Sequence, residues 1–143
     1  MIAATKQYVA VRAVIVKDGK ILLIRESQKY ASGTNKGKYD FPGGKLKAGE
    51  SLIDAIVREV SEEVGLQVKI GNPFYAGEWS PVVAGEVSHI VGIFFLCEAL
   101  SARVMLSDDH DEYLWITPKD AQNLALIDEN ANAIEVLLEQ KLV

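Results

Sequence analysis

Cysteine is nearly absent from this 143-residue chain, and positive charge is scarce. The single cysteine, Cys97, excludes an internal disulfide and a zinc site built from several cysteines. It lies in an apolar run, where we expect a buried and unreactive thiol. Fifteen Lys and Arg stand against twenty Asp and Glu, which gives a net charge of −5. Because binding to duplex nucleic acid needs concentrated positive charge, the composition argues against that class of partner.

Long hydrophobic runs are also missing. No segment approaches the ~18 consecutive apolar residues that a membrane span requires. The first residues, 1–7, lack the charged start and apolar stretch of a signal peptide. We therefore expect a cytoplasmic protein with no membrane partner. The rest of the composition, 49% hydrophobic and 24% charged, is typical of a globular protein, and we expect a single domain over residues 1–143.

Strand-like and helix-like segments alternate along the chain, which predicts an α/β fold. The segments 8–16 and 21–24 flank an Asp18-Gly19 turn and predict a β-hairpin, and a polar loop follows at 27–38. Further strands are predicted at 67–79, 87–100 and 113–116, and helices at 51–64, from 117–118 onward, and at 128–141. One face of the last helix is marked by Ile134, Leu137, Leu138 and Lys141.

The helix predicted at 51–64 has an apolar face and an acidic face. The apolar residues form a stripe that we expect to contact the sheet: Ile53, Ile56, Val57, Val60 and Val64. Glu59, Glu62 and Glu63 follow the spacing i, i+3 and i+4, which places their Cβ atoms about 5–6 Å apart. They repel one another near the helix C-terminus, where the macrodipole also disfavours negative charge. A divalent cation held by carboxylate oxygens would compensate, and a solvated surface is the alternative.

A longer motif surrounds these glutamates. From Gly44, five residues precede Glu50, and seven more precede Arg58-Glu59. An aliphatic residue, two further glutamates, a glycine and a leucine follow, at Val60, Glu62, Glu63, Gly65 and Leu66. This pattern resembles the Nudix box, G-x5-E-x7-R-E-U-x-E-E-x-G-U with U aliphatic, at every specified position. The chain is therefore similar to the MutT-like Nudix hydrolases.

The resemblance implies an α/β/α sandwich around a mixed β-sheet. It also implies that water attacks phosphorus in a nucleoside diphosphate derivative, with Mg²⁺ as the cofactor and Mn²⁺ as a substitute. The implied partner is thus a small-molecule nucleotide. The sequence does not indicate the oligomeric state. Dimers are common in the family, so a homodimer is an alternative to a monomer.

Site residues are also implied by the match to the box. Glu59 and Glu63 match the core metal ligands, together with the backbone carbonyl of Gly43 or Gly44. Glu62 matches an acidic position that acts as a metal ligand or as the base that activates water. Arg58 matches the arginine that orients these carboxylates, and the earlier box glutamate, at position 50, matches a structural position.

One more acidic residue is expected outside the box. Family members often place a further base or metal ligand on a later loop, and the acidic segment 107–113 is the corresponding place. Glu112 is our first choice for this catalytic role and Asp111 the second, with a polar surface turn as the alternative. We expect His110 of the same segment to be solvent-exposed and non-catalytic.

Substrate contacts are predicted from residues around the box. Arg25 and Lys45 are candidates for phosphate contacts or for surface ion pairs, and Gly44 allows close approach of a ligand. Tyr39 would stack on a base or pack in the core. At the start of the last helix, Asp128 and Asn130 would contact the base or cap the helix. Trp79 and Trp115 are expected to be packing residues.

Three hypotheses about function remain open. The first is cleavage of a (deoxy)nucleoside triphosphate, including one with an oxidised base, to monophosphate and pyrophosphate. The second is cleavage of ADP-ribose or another sugar-linked diphosphate, since Pro81 stands fifteen residues after Leu66, a spacing found in such relatives. The third is a non-catalytic nucleotide sensor, which would be expected to have lost the box carboxylates that this chain retains.

Overall fold

The computed structural model describes residues 3–30, 33–127 and 129–143. Within these ranges the chain forms eight strands and three helices. Their bounds are β1 (Lys6–Lys17), β2 (Lys20–Glu26), β3 (Tyr39–Asp40), β4 (Gly43–Lys45), α1 (Leu52–Val64), β5 (Val68–Trp79), β6 (Val82–Val83), β7 (Glu86–Ala99), β8 (His110–Ile116), α2 (Pro118–Ala121) and α3 (Asn130–Glu139).

The sheet is mixed and opens at one end. Its order is β3-β2-β1-β7-β5, and β1 runs parallel to β7 while the other pairs are antiparallel. Strands β1 and β2 pair only beside their turn, where Val16 faces Ile21. At the far end β2 pairs with β3 and β1 pairs with β4. The segment 40–43, which joins β3 to β4, therefore bridges a gap between β1 and β2.

Helices cover both faces of this sheet, because alternate residues of each strand point to opposite sides. One core contains Val11, Ala13 and Ile15 of β1 and packs against α1. The other contains Val14 of β1 and packs against α2 and α3, with Ile134 fully buried. The predicted α/β/α sandwich around a mixed sheet is confirmed, and β7 lies in the sheet interior as predicted.

The predicted apolar stripe of α1 is partly wrong. Ile56, Val60 and Val64 are buried, but Ile53 and Val57 are 46% and 54% exposed. Ala55 is buried in their place. The helix is oriented about its long axis so that the face carrying its glutamates points toward the gap in the sheet. Part of the buried face is thus acidic, which a rule based on apolar spacing does not detect.

Two predicted boundaries also differ. Strand β8 begins at His110 rather than at 113, because its backbone continues to pair with β2 as far as Glu26. Helix α3 buries Ala133, Ile134 and Leu137, whereas Leu138 is exposed and Lys141 lies beyond the last helical turn. The short strands β3, β4 and β6 were not predicted. Among the described residues, no helix combines the length and the apolar character needed to cross a membrane.

Candidate active site

Helix α1 carries its three glutamates in its last two turns. The helix begins after Ser51, whose hydroxyl accepts a hydrogen bond from the Asp54 N–H, and ends at Gly65 in the left-handed conformation (φ 65°). The segment that joins β7 to β8 passes this end of the helix, and its Met105 and Ser107 N–H groups donate to the last backbone carbonyls of the helix. The C-terminal end of α1 is therefore fixed against the segment that leads into β8.

Arg58 connects the acidic residues of the motif. Its Nε and Nη2 donate to the two oxygens of Glu50 at 2.7 and 2.8 Å, and its Nη1 donates to Glu59 at 2.9 Å. The same Nη1 lies 3.4 Å from Glu62. The hydrogen bonds from Arg58 lower the pKa of Glu50 to about 2 and raise the pKa of Arg58. The guanidinium thus holds one face of the cluster in a fixed geometry.

Glu63 lies on the other side of the cluster, against the turn before β4. Its Oε1 accepts a hydrogen bond from the Gly43 N–H at 2.8 Å, and its side chain is only 16% exposed. The pKa of Glu63 is raised to about 9, mainly by burial and in part by the nearby carboxylates of Glu59 and Asp40, while the Gly43 N–H and the Arg12 charge act to lower it. The positive charge around Glu63 is therefore too weak to stabilise its ionised carboxylate.

These side chains line one cavity of about 320 Å³. The cavity contains every residue that the sequence predicted as a metal ligand, and it also includes residues that the sequence analysis missed. The missed residues are Glu26 and Tyr30. Ser107 and Asp109 belong to the predicted segment 107–113 but were not chosen from it, and His110 was expected to be solvent-exposed. Among the described residues that line it, five are Asp or Glu and none is Lys or Arg. The sequence thus predicted the cluster on α1, Gly43 and the segment 107–113, but not the contribution of Glu26 and Tyr30.

The donor set fits a hard divalent cation. Carboxylate oxygens are the side-chain ligands that Mg²⁺ prefers. Within the described residues, no three acidic, His or Cys side chains are already arranged around a common point, since Glu59 is held by Arg58 and Glu63 by the Gly43 N–H. A Cβ at Gly44 would collide with the Glu59 carboxylate, so this carboxylate reaches its position only beside a glycine.

The acidic segment 107–113 contributes different residues from those expected. The Glu112 carboxylate lies 2.8 Å from Arg25 Nη1, and Asp111 lies 2.8 Å from Arg25 Nε. Neither lines the acidic cavity. A register shift in the β2–β8 pairing lies between Arg25 and Glu26, and it brings His110 beside Glu26 on the α1 side. The geometry therefore gives no support to Glu112 or Asp111 as the additional catalytic group.

His110 is the clearest correction to the sequence analysis. It was expected to be solvent-exposed, but its side chain is 13% exposed and its Nε2 lies 3.7 Å from Glu63. Its Nδ1 lies 3.4 Å from the Ser107 hydroxyl, and burial lowers its pKa. The expectation failed because a shift in strand pairing has no local sequence signature.

Most predicted substrate contacts are held by other partners. Arg25 is paired as described above, and Lys45 lies 4.1 Å from the centre of the Tyr8 ring. Tyr39 is buried and packs in the core beside α3. Asn130 is 3% exposed and donates to Asp40 at 2.8 Å. Gly44 lies beside the Glu59 carboxylate, and Asp128 lies outside the described residues.

A second polar group lies on the α3 side of the gap. Arg12 Nε is 3.3 Å from Asp40, and its guanidinium stands 5.5 Å from the centre of the Trp79 ring. Together with Glu129 and Asn130 these residues line a narrow crevice. The signal available in the sequence was Arg12 itself, a charged residue in the middle of the apolar part of β1.

The chain is similar in sequence and in structure to several known proteins. The family model described as NUDIX domain matches residues 6–138. An ADP-ribose pyrophosphatase of Methanocaldococcus jannaschii is 34% identical over 73% of this chain, and the match spans only 58% of that protein. A CTP pyrophosphohydrolase of Escherichia coli is 28% identical over 93% of both chains. The crystal structure of a MutT protein from Methanosarcina mazei superposes with a TM-score of 0.80, at 30% identity, covering 97% of this chain and 99% of the other.

Proposed function

Since this chain belongs to the NUDIX domain family and is a pyrophosphohydrolase of nucleoside diphosphate derivatives, we propose that its substrate is a (deoxy)nucleoside triphosphate. The products are the nucleoside monophosphate and pyrophosphate. The observation that carries this proposal is the cavity in which Glu59, Glu62 and Glu63 meet the Gly43 turn without a neutralising Lys or Arg among its described lining residues.

The choice of a triphosphate is supported by how relatives match. The E. coli CTP pyrophosphohydrolase matches over 93% of its length, and a nucleoside triphosphatase of Salmonella agona over 90% of its length. The ADP-ribose pyrophosphatases of Methanocaldococcus jannaschii and Bacillus subtilis match over 58% and 60% of theirs. A family match over residues 6–138 also supports the proposal that residues 1–143 form one catalytic domain.

We propose Mg²⁺ as the cofactor, with Mn²⁺ as a substitute. Glu59 and Glu63 would hold it, with Glu62 and the backbone carbonyl of Gly43 as further ligands. When bound, the cation neutralises charge on the diphosphate oxygens and lowers the pKa of a bound water. Arg58 fixes Glu59 and restrains Glu62 through its hydrogen bonds.

Glu62 is suited to accept the proton of the attacking water. Its side chain is 56% exposed, whereas those of Glu59 and Glu63 are 14% and 16% exposed. Its single contact with Arg58 is the longest of the set, at 3.4 Å, so it is the least committed carboxylate of the cluster. In this step the water oxygen bonds to phosphorus, its proton passes to Glu62, and the bond from phosphorus to the pyrophosphate leaving group breaks.

A substrate panel tests the proposal. The purified protein is incubated with Mg²⁺ and with the eight common nucleoside and deoxynucleoside triphosphates, a triphosphate with an oxidised guanine, and ADP-ribose. We expect monophosphate and pyrophosphate from at least one triphosphate, and loss of this activity in Glu63→Gln. Glu86→Gln is the matched control, because Glu86 pairs with Lys6 and does not line the cavity. If none of the triphosphates is hydrolysed, the proposal is rejected.

ADP-ribose or another nucleoside diphosphate sugar is the second candidate. It is favoured by the 34% identity to the archaeal ADP-ribose pyrophosphatase. The same carboxylate cluster would serve both reactions, because both break a phosphoanhydride bond. The products separate the two candidates, since ADP-ribose yields AMP and ribose 5-phosphate and no pyrophosphate.

A further inference from the structure

The turn that carries Gly43 is pressed against β1, on the edge that faces the gap in the sheet. The Ala13 N–H donates to the Pro42 carbonyl at 2.7 Å, and Gly43 itself pairs with Arg12 in the β1–β4 ladder. A Cβ at Gly43 would collide with the Val11 carbonyl oxygen. The Gly43 backbone therefore keeps its place at the acidic cavity only while the turn keeps this close approach to β1.

Arg12 fastens the approach from the β1 side. Its Nη1 donates to the Val11 carbonyl at 3.1 Å, and this is the oxygen that a Cβ at Gly43 would strike. Its Nε lies 3.3 Å from Asp40 Oδ1, and Asp40 stands three positions before Gly43. One guanidinium thus contacts both sides of the approach, the backbone of β1 and the start of the segment that leads to the glycine.

Asp40 brings donors from three parts of the chain to one oxygen. Besides facing Arg12, its Oδ1 accepts hydrogen bonds from the Phe41 N–H and from Asn130 Nδ2, both at 2.8 Å. Phe41 and Asn130 are 1% and 3% exposed, so both anchors are buried. Because β1, α3 and the next residue along the chain all contact this oxygen, it fixes where the bridging segment 40–43 begins.

The ion pair between Arg12 and Asp40 is a poor source of stability. The two side chains are only 14% and 18% exposed, and removing a pair of charges from water costs about as much free energy as their attraction returns. An apolar pair of similar volume is often equally stable. The geometry that the pair imposes on the turn is therefore a better account of it than its contribution to the free energy of unfolding.

We propose that Arg12 and Asp40 are positioning residues for the hydrolysis, which hold the turn so that the Gly43 backbone faces the box carboxylates. Neither of them lines the acidic cavity, so they act through Gly43, whose N–H holds Glu63. A displacement of about 1 Å in a catalytic site can cost about a hundredfold in rate. The inference rests on the proposed function, in that it takes this cavity to be the place of hydrolysis.

Asp40→Asn and Arg12→Lys test the inference by kinetics. The asparagine keeps a side-chain oxygen but loses the ion pair, and the lysine keeps the charge but loses the fork of donors. With Mg²⁺ and a nucleotide that the wild type hydrolyses, we expect kcat to fall by about tenfold or more in each variant and KM to stay within about threefold. Glu86→Gln is the matched control, because it removes another ion pair of β1, with Lys6, outside the cavity.

Amide hydrogen exchange in EDTA gives a second readout that needs no activity. The hydrogen bond to Glu63 protects the Gly43 N–H, and a turn that has moved loses this bond. We expect the exchange of Gly43 to be on the order of tenfold faster in both variants. The amides of the β1–β7 ladder should exchange as in the wild type, whereas a pair that only stabilises the fold would protect both places.

Each outcome decides the inference. A lower kcat together with faster exchange at Gly43 and an unchanged β1–β7 ladder supports it. A wild-type kcat in either variant, unchanged exchange at Gly43, or equal acceleration at Gly43 and in the ladder would overturn it. A loss mainly in KM also overturns it, because Arg12 and Asp40 would then contact the substrate. If the wild type hydrolyses no nucleotide, the proposed function fails, and the exchange of Gly43 alone decides whether the pair holds the turn.

Discussion

The Gly43 N–H donates to Glu63 Oε1 at 2.8 Å and so joins the turn before β4 to the last turn of α1, twenty residues later. This bond brings the glycine turn and the helix together at the gap between β1 and β2. It also gives the largely buried Glu63 side chain a backbone hydrogen bond. The candidate active site thus depends on one buried acidic group, whose protonation and stability can be measured.

Glu63→Gln is expected to abolish turnover while stabilising the metal-free protein above neutral pH. The pKa of Glu63 is about 9 in the folded protein against an ordinary 4.5, so the folded state keeps a proton that the unfolded state releases. Metal-free stability is therefore lost between about pH 4.5 and 9, by at most about 1.4 kcal/mol per pH unit. The glutamine variant lacks this slope.

Thermal melts in EDTA from pH 4 to pH 9 measure this effect. The wild type and Glu63→Gln should melt at similar temperatures at pH 4, and the variant should melt at the higher temperature at pH 8. Glu135→Gln, with its exposed side chain, serves as the control and should follow the wild type. Parallel curves for the wild type and Glu63→Gln would contradict the raised pKa.

Mg²⁺ should stabilise the wild type and fail to stabilise a variant without the core carboxylates. A ligand that binds only the folded state adds RT ln(1 + [L]/Kd) to the free energy of unfolding, about 2.7 kcal/mol at a hundredfold excess over Kd. Glu59→Gln/Glu63→Gln removes both proposed core ligands. We expect its melting temperature to be independent of Mg²⁺, while Glu86→Gln responds as the wild type does. An equal shift in the double variant would place the cation elsewhere.

Arg58→Lys is expected to reduce kcat strongly even though the positive charge is kept. The guanidinium makes two parallel hydrogen bonds to Glu50 and a further one to Glu59, and a lysine ammonium cannot reproduce that fork. We expect a loss of at least about tenfold in kcat, with a smaller change in KM. Arg103→Lys, at an exposed position, is the control, and a similar kcat in both variants would show that charge alone suffices.

Much of the fold and part of the site could be predicted from the sequence, because the relevant contacts are local. Residues 59, 62 and 63 lie together on any helix, and the Asp18-Gly19 turn fixes the first hairpin. The motif also predicted that Arg58 lies beside the carboxylates that it orients. These features require no knowledge of which strands become neighbours.

The rest depends on pairing between distant segments. His110 reaches the cavity through a register shift between β2 and β8, and Arg12 meets Asp40 only because the sheet opens between β1 and β2. The roll of α1 that exposes Ile53 and Val57 follows from the acidic residues that it turns toward that opening. Apolar periodicity and residue type contain none of this information.

The contrast between Glu62 and Glu112 tests the geometry most directly. Both are partly exposed glutamates that contact an arginine, but Glu62 lines the acidic cavity and Glu112 does not. We expect Glu62→Gln to lower kcat by at least about a hundredfold, as loss of a general base does. Glu112→Gln should cost far less turnover and reduce the free energy of unfolding by less than about 1 kcal/mol, because its ion pair is solvent-accessible. Comparable losses of kcat in the two variants would return Glu112 to the mechanism and would require the β2–β8 edge to move toward α1 when substrate binds.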